Sequence, residues 1–192
     1  MRITGGIARG YSIEVPHALD LRPSQEVVRE SIFNILGDIN NTLILDLYAG
    51  TGVLGIEALS RGAKHCDLVE KEKQVASAIR RNIQNVKIQD KADVFEEDAR
   101  TFINRETFQK YDIIFLDPPY VERPRDVLLM IPKWLHDHGF LIYLHGKGIV
   151  LETAHDRELL GKKLVETDTR RFGATYISFI KPRIDDITPE IS

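Results

Sequence analysis

Leu43-Ile44-Leu45-Asp46-Leu47-Tyr48-Ala49-Gly50-Thr51-Gly52-Val53-Leu54-Gly55 decides the fold. An apolar run, a glycine turn and a second apolar run in direct succession read as a buried strand feeding a helix. Gly50-x-Gly52-x-x-Gly55 satisfies the dinucleotide fingerprint, and Glu70 lies 20 residues beyond Gly50, where an acid meets ribose hydroxyls. The pattern alone does not separate a nicotinamide dinucleotide from S-adenosylmethionine. Asp46 adds a charge. A carboxylate just ahead of the turn is a poor neighbour for a pyrophosphate and a good one for the cationic amino-acid end of S-adenosylmethionine. It also reads as a plain turn or capping residue.

Outward from there, the apolar run Ile113-Ile114-Phe115-Leu116 ends in Asp117-Pro118-Pro119-Tyr120. Two prolines fix φ and push the residue before them toward extended backbone, so a carboxylate and a ring are carried on stiff chain. Such a clamp suits a flat group with an exocyclic amine. The carboxylate and a main-chain carbonyl would accept its N–H bonds while the aromatic ring stacks on the base. The bland alternative is a proline-rich strand exit with no chemistry.

The 192 residues are 43% hydrophobic, enough for one domain with a full core. The sequence shows no signal peptide and no apolar run near membrane-spanning length, which predicts a cytoplasmic location. Cys66 is the single cysteine, in a segment that reads as strand interior, so internal disulfides and cysteine-rich metal sites are excluded. The six histidines show no paired ligand spacing, and no metal is implied. A net charge of −3 works against sequence-independent binding to phosphates. Arg2, Arg9, Arg22 and Arg29 are offset by Glu14, Asp20, Glu26 and Glu30, and Arg170-Arg171 is the other small basic cluster. Weak binding to bare RNA follows, with reliance on shape or on a pre-assembled partner.

Alternating strand and helix patterns argue for a doubly wound α/β sheet. Residues 1–15 read as a strand hairpin, with Gly5-Gly6 and Arg9-Gly10 as turn signals. A helix over 24–36 has Ser24 as its N-cap. Strands are expected near 43–47, 65–70, 91–96, 111–116 and 139–144, and helices near 53–61, 72–85, 98–105 and 124–135. Two further strands, 162–170 and 174–181, form a hairpin at the sheet edge through Arg171-Phe172-Gly173. The division is an N-terminal hairpin and linker over 1–23, a main domain over 24–181 and a loose tail over 182–192.

This plan of a mostly parallel seven-stranded sheet with a terminal antiparallel hairpin resembles the class I S-adenosylmethionine-dependent methyltransferases. Within that class the chain resembles the bacterial 16S rRNA (guanine-N2)-methyltransferase family over residues 1 to about 181. The resemblance is carried by Arg2-Ile3-x-Gly5-Gly6 with Arg9-Gly10, by Leu21-Arg22-Pro23-Ser24, and by Val28-Arg29-Glu30-Ser31-Ile32-Phe33-Asn34. It continues through the glycine stretch into Glu57-Ala58-Leu59-Ser60-Arg61-Gly62, and ends with Asp117-Pro118-Pro119-Tyr120.

The resemblance implies S-adenosyl-L-methionine as cofactor and 16S rRNA, in an assembled or assembling small subunit, as partner. It implies that Asp46 with Tyr48, Ala49, Gly50, Thr51 and Gly52 holds the methionine part of the cofactor. Glu70 with Lys71 would take the ribose hydroxyls, and Asp98-Ala99 the adenine edge. Asp117, Pro118, Pro119 and Tyr120 would form the catalytic clamp on guanine, with Arg9 and Arg22 on the RNA. The chain departs from the family pattern at Ala8, Tyr11 and Ser12, at Glu26-Val27 and at His145; the first two changes remove positive charge from the RNA-facing side. The expected activity is methyl transfer to guanine N2. Its rivals are a DNA adenine-N6 methyltransferase, a nicotinamide oxidoreductase with no use for the proline clamp, and a non-catalytic assembly factor that keeps the cofactor fold.

Overall fold

The computed structural model describes residues 1–16, 26–106, 109–119, 124–146 and 154–183. The elements in chain order are α1 (Glu26–Leu36), β1 (Leu43–Leu47), α2 (Val53–Ser60), β2 (His65–Val69), α3 (Lys73–Asn85), β3 (Ala92–Phe95) and α4 (Ala99–Ile103). They continue with β4 (Tyr111–Leu116), α5 (Arg125–Trp134), β5 (Leu135–His145), α6 (Ala154–Lys163), β6 (Leu164–Phe172) and β7 (Thr175–Pro182). A 3-10 turn at Gln89–Lys91 precedes β3.

The seven strands lie in the order β3-β2-β1-β4-β5-β7-β6. The first five are parallel, and β7 enters antiparallel between β5 and β6. Strand order therefore reverses between β1 and β4, and ligands of open α/β sheets bind outside the carboxyl ends at that reversal. β1 is apolar along nearly its whole length because both its faces are covered. One core layer joins Ile44, Cys66, Leu68, Ile113 and Phe115 to α1, α2 and α3. The other joins Leu45, Leu47, Val69, Ile114 and Leu116 to α4, α5 and α6, and Trp134 locks α5 to α4 by donating to the Ile103 carbonyl at 2.9 Å.

The N-terminal segment belongs to the first of these layers. Ile3 and Ile13 are buried in it, and each contributes about 1.5–3 kcal/mol relative to exposure. The hairpin is closed by one bridge, Arg2 to Ser12, and not by a regular strand pair, because Gly6 and Gly10 both take positive φ and bend the chain away from extended ladder geometry.

Four boundaries differ from the sequence reading. β6 runs on to Phe172, because Arg171 and Phe172 pair with Tyr176 and Thr175, so the turn expected at Arg171-Phe172-Gly173 is left to Gly173-Ala174. β5 begins at Leu135, directly off α5, where the polar His136-Asp137-His138 masks the strand pattern. Helix α6 occupies residues given to a loop and the start of β6. It buries Leu160 but exposes Leu159, so it lacks the apolar stripe that would announce it. The helix given as 24–36 is described from Glu26, and Ser24 lies outside the described residues. Among the described residues no helix is long and apolar enough to cross a membrane.

Candidate functional site

A single lateral rung crosses the whole sheet: Phe95, Val69, Leu47, Leu116, Tyr143, Ser178 and Thr169 are paired in turn. Glu70 follows Val69 and Asp117 follows Leu116, each one residue beyond the rung, while Asp46 sits one residue before it. Register alone thus brings acids from three central strands to one edge.

The turn after β1 is built on left-handed backbone. Tyr48, Gly50 and Gly52 have φ of 60°, 56° and 73°. Gly52 needs glycine for a second reason, since a Cβ there would lie 3.0 Å from Ile79 Cγ2. α2 consequently starts without a side-chain cap, and its first amides face the turn.

Asp46 is 1% exposed, and its Oδ2 accepts the Gly55 N–H at 3.0 Å. Burial pushes its carboxyl well above the usual range; the Gly55 bond opposes this, and the nearby charges of Asp117 and Glu70 add to it. Glu70 accepts from the Gly50 N–H at 2.9 Å through Oε2 and from the Glu72 N–H at 2.9 Å through Oε1. Burial raises its carboxyl as well; the Glu72 and Gly50 N–H bonds, and to a lesser degree the Lys71 ammonium, partly offset the rise. Tyr48 is half-buried, Ala49, Thr51 and Gly52 are buried, and Lys71 is exposed. Asp98 caps α4, its Oδ1 accepting the Arg100 N–H at 2.7 Å, and Ala99 behind it is buried.

Beyond β4, Asp117 is half-buried, Pro118 buried and Pro119 exposed. Tyr120 and Arg22 lie outside the described residues. Arg9 is exposed, and its neighbour Ala8 donates its N–H to Ser60 Oγ at 2.8 Å. Ser60 ends α2, about 12 Å along the helix from the glycine turn, so this anchor lies away from the acidic edge.

Composition and spacing did not single out the polar group that fixes the hairpin. Glu57 is fully buried on α2 and takes Arg29 Nε at 3.2 Å, Arg61 Nη2 at 2.8 Å and the Thr4 hydroxyl. Arg29 also donates to the Arg2 carbonyl at 2.7 Å, and Ser60 Oγ donates to the Gly5 carbonyl at 2.6 Å. Asn82 receives the Glu14 N–H at 2.8 Å and donates to the carbonyls of Glu14 and Thr51, coupling the hairpin's end to the glycine turn. The available signal was Glu57 itself, an acid in an otherwise apolar helix. The Glu57 to Gly62 motif is thus a docking surface for the N-terminus.

At the opposite, amino end of the sheet, His65 Nε2 lies 3.1 Å from Asp67 Oδ1 and 3.2 Å from Asp93 Oδ2. Asp67 Oδ2 also accepts the Tyr111 hydroxyl. These groups satisfy one another.

Strand order, the glycine turn and the acids at the carboxyl edge define the class I methyltransferase fold. The chain belongs to the family described as "Conserved hypothetical protein 95", whose match spans residues 1–181. It is 34% identical over 192 residues, 95% of this chain and 100% of the other, to the Bacillus subtilis protein named "Putative rRNA methyltransferase YlbH". It is 36% identical over 142 residues, 73% of this chain and 69% of the other, to "Ribosomal RNA small subunit methyltransferase D" of Escherichia coli. Among solved structures, "Putative methyltransferase yhhF from Escherichia coli" superposes with a TM-score of 0.81 at 26% identity, covering 96% of this chain and 99% of that one.

Proposed function

We propose that this protein is an S-adenosylmethionine-dependent methyltransferase that modifies N2 of guanine in 16S rRNA, in the cytoplasm. The observation that carries the reading is the convergence of Asp46, Glu70 and Asp117 on one edge beside a left-handed glycine turn. Asp46, raised chiefly by burial and further by the nearby charges of Asp117 and Glu70, sits in negative potential, which suits a cationic ligand and repels a pyrophosphate. The residues fit the cofactor on these grounds. Asp46 and the turn from Tyr48 to Gly52 would hold its amino-acid end, Glu70 with Lys71 its ribose, and Asp98-Ala99 its adenine.

When bound, the cofactor supplies a methyl group already activated by its sulfonium. The protein's part is then alignment, an effect worth about 7–11 kcal/mol when reacting groups are held in a near-attack geometry. Asp117 and the Pro118 carbonyl accept the N–H bonds of the guanine amine and stabilise the positive charge that develops on nitrogen. Tyr120 stacks on the base after it leaves its helix or loop. The relatives named as small-subunit rRNA methyltransferases support the substrate class. The low positive charge of the chain favours a target held open in an assembled or assembling subunit.

Calorimetric titration tests the cofactor side. S-adenosylmethionine and its demethylated product should bind saturably and NAD should not. Saturable NAD binding without a response to S-adenosylmethionine would overturn the reading.

A further inference from the structure

Two positions beyond the rung that ends at Tyr143, Ser178 and Thr169, a second rung pairs His145 with Tyr176 and Tyr176 with Arg171. It extends the carboxyl edge away from Asp117 toward the sheet's outer strand. His145 is 5% exposed and held at both ring nitrogens, Nε2 to Ser178 Oγ at 2.9 Å and Nδ1 to the Gly146 carbonyl at 2.7 Å. Its ring stacks on Tyr143 at 4.7 Å and on Tyr176 at 5.8 Å. The Arg171 guanidinium then lies over the Tyr176 ring at 5.6 Å, with Nε donating to the Gly173 carbonyl at 3.0 Å.

Arg171 is therefore an exposed cation held at two points, over the Tyr176 ring and through Nε to the Gly173 carbonyl. Arg80, Arg81, Arg105 and the adjacent Arg170 are each matched to an acid, Glu96, Glu14, Glu97 and Asp168 respectively. Arg171 has no carboxylate partner among the described residues, and its two terminal nitrogens are left to solvent. A guanidinium fork held over a ring and by its Nε bond is partly preorganised for a bidentate anion, which lowers the rotamer entropy lost on binding. Strand spacing puts it about 15 Å along the edge from the strand that delivers Asp117, within reach of the chain flanking a base held there.

We propose that Arg171, positioned by Tyr176, binds a backbone phosphate of the RNA beside the target guanine. The inference rests on the proposed function for the identity of the nucleic acid. It also explains how a chain of net negative charge keeps a grip on its substrate without a broad basic face.

The experiment measures fluorescence anisotropy of a short single-stranded RNA carrying one guanine, across a salt series, together with methyl transfer to small subunits. Arg171→Gln should weaken RNA binding about 3- to 10-fold at low salt and reduce the salt slope by about 0.7, the signature of one lost phosphate contact. KM for the subunit should rise while kcat and cofactor binding hold. Tyr176→Leu, which keeps the charge but removes the support, should give a smaller loss of affinity with the slope retained, and Tyr176→Phe should behave as the wild type. Unchanged affinity and slope in Arg171→Gln, with wild-type transfer intact, overturns this contact alone. Absence of transfer by the wild type, with Arg171→Gln still losing affinity and slope, overturns the proposed activity and leaves the contact standing.

Discussion

The Asp46 carboxylate accepts the backbone N–H of Gly55 at 3.0 Å, so the acid at the end of β1 is fastened to the first turn of α2. The helix lies so close to the sheet there that a Cβ on Gly55 would stand 2.8 Å from Cys66 Sγ, 2.9 Å from Leu68 Cδ2 and 3.2 Å from Asp46 Oδ2. Close approach of helix to strand and placement of the acid are one arrangement.

Asp46 should therefore trade stability for binding. Its folded pKa is raised by burial, so the folded state holds the proton more tightly than the unfolded chain. The stability this confers is complete below the usual carboxylate value of 3.8 and is lost as pH rises through the folded value. Asp46→Asn, neutral throughout, should stabilise the cofactor-free protein at pH 7 by about 1 kcal/mol or more, and the gain should shrink as pH falls. S-adenosylmethionine affinity should drop at least about 10-fold, roughly 1.4 kcal/mol. Urea denaturation at several pH values and calorimetry measure both effects.

Asp117→Ala separates binding from transfer. The glycine turn, Glu70 and Asp98 are untouched, so cofactor affinity should change little. Turnover should fall at least about 100-fold, roughly 2.7 kcal/mol of transition-state stabilisation. Single-turnover transfer beside calorimetric binding checks it, and near-full turnover would reduce the proline segment to a strand exit.

Gly6→Ala should release the hairpin. Gly6 has φ of +76°, and a Cβ there would meet the Ser60 carbonyl oxygen at 1.8 Å, a backbone atom that cannot swing aside. We expect a loss of about 2–4 kcal/mol in chemical denaturation, with faster proteolysis confined to the first 15 or so residues. Gly10→Ala, also at positive φ but with open space around the added methyl, should cost less.

Much of this was legible in the sequence because the central strands and the helices between them are periodic and bounded by glycine. Leu43 to Leu47 and Tyr111 to Leu116 fall where the pattern puts them. Asp98, expected at the adenine edge, also caps α4. The convergence of Asp46, Glu70 and Asp117 depends on register between strands far apart in sequence, which no local pattern encodes. Glu57 and Arg29 were visible as motif residues only, because their role is a buried pair formed between two helices. Arg171 appeared as half of a small basic cluster, and its distinction from Arg170 rests on cross-strand contacts to Tyr176.

The most direct measurement is transfer of labelled methyl groups from S-adenosylmethionine to small subunits lacking the modification, to protein-free rRNA and to duplex DNA, followed by nucleoside analysis. The account predicts label as N2-methylguanosine, with protein-containing particles outperforming naked rRNA. Label recovered as N6-methyladenine from DNA, or naked rRNA outperforming every particle, would contradict it.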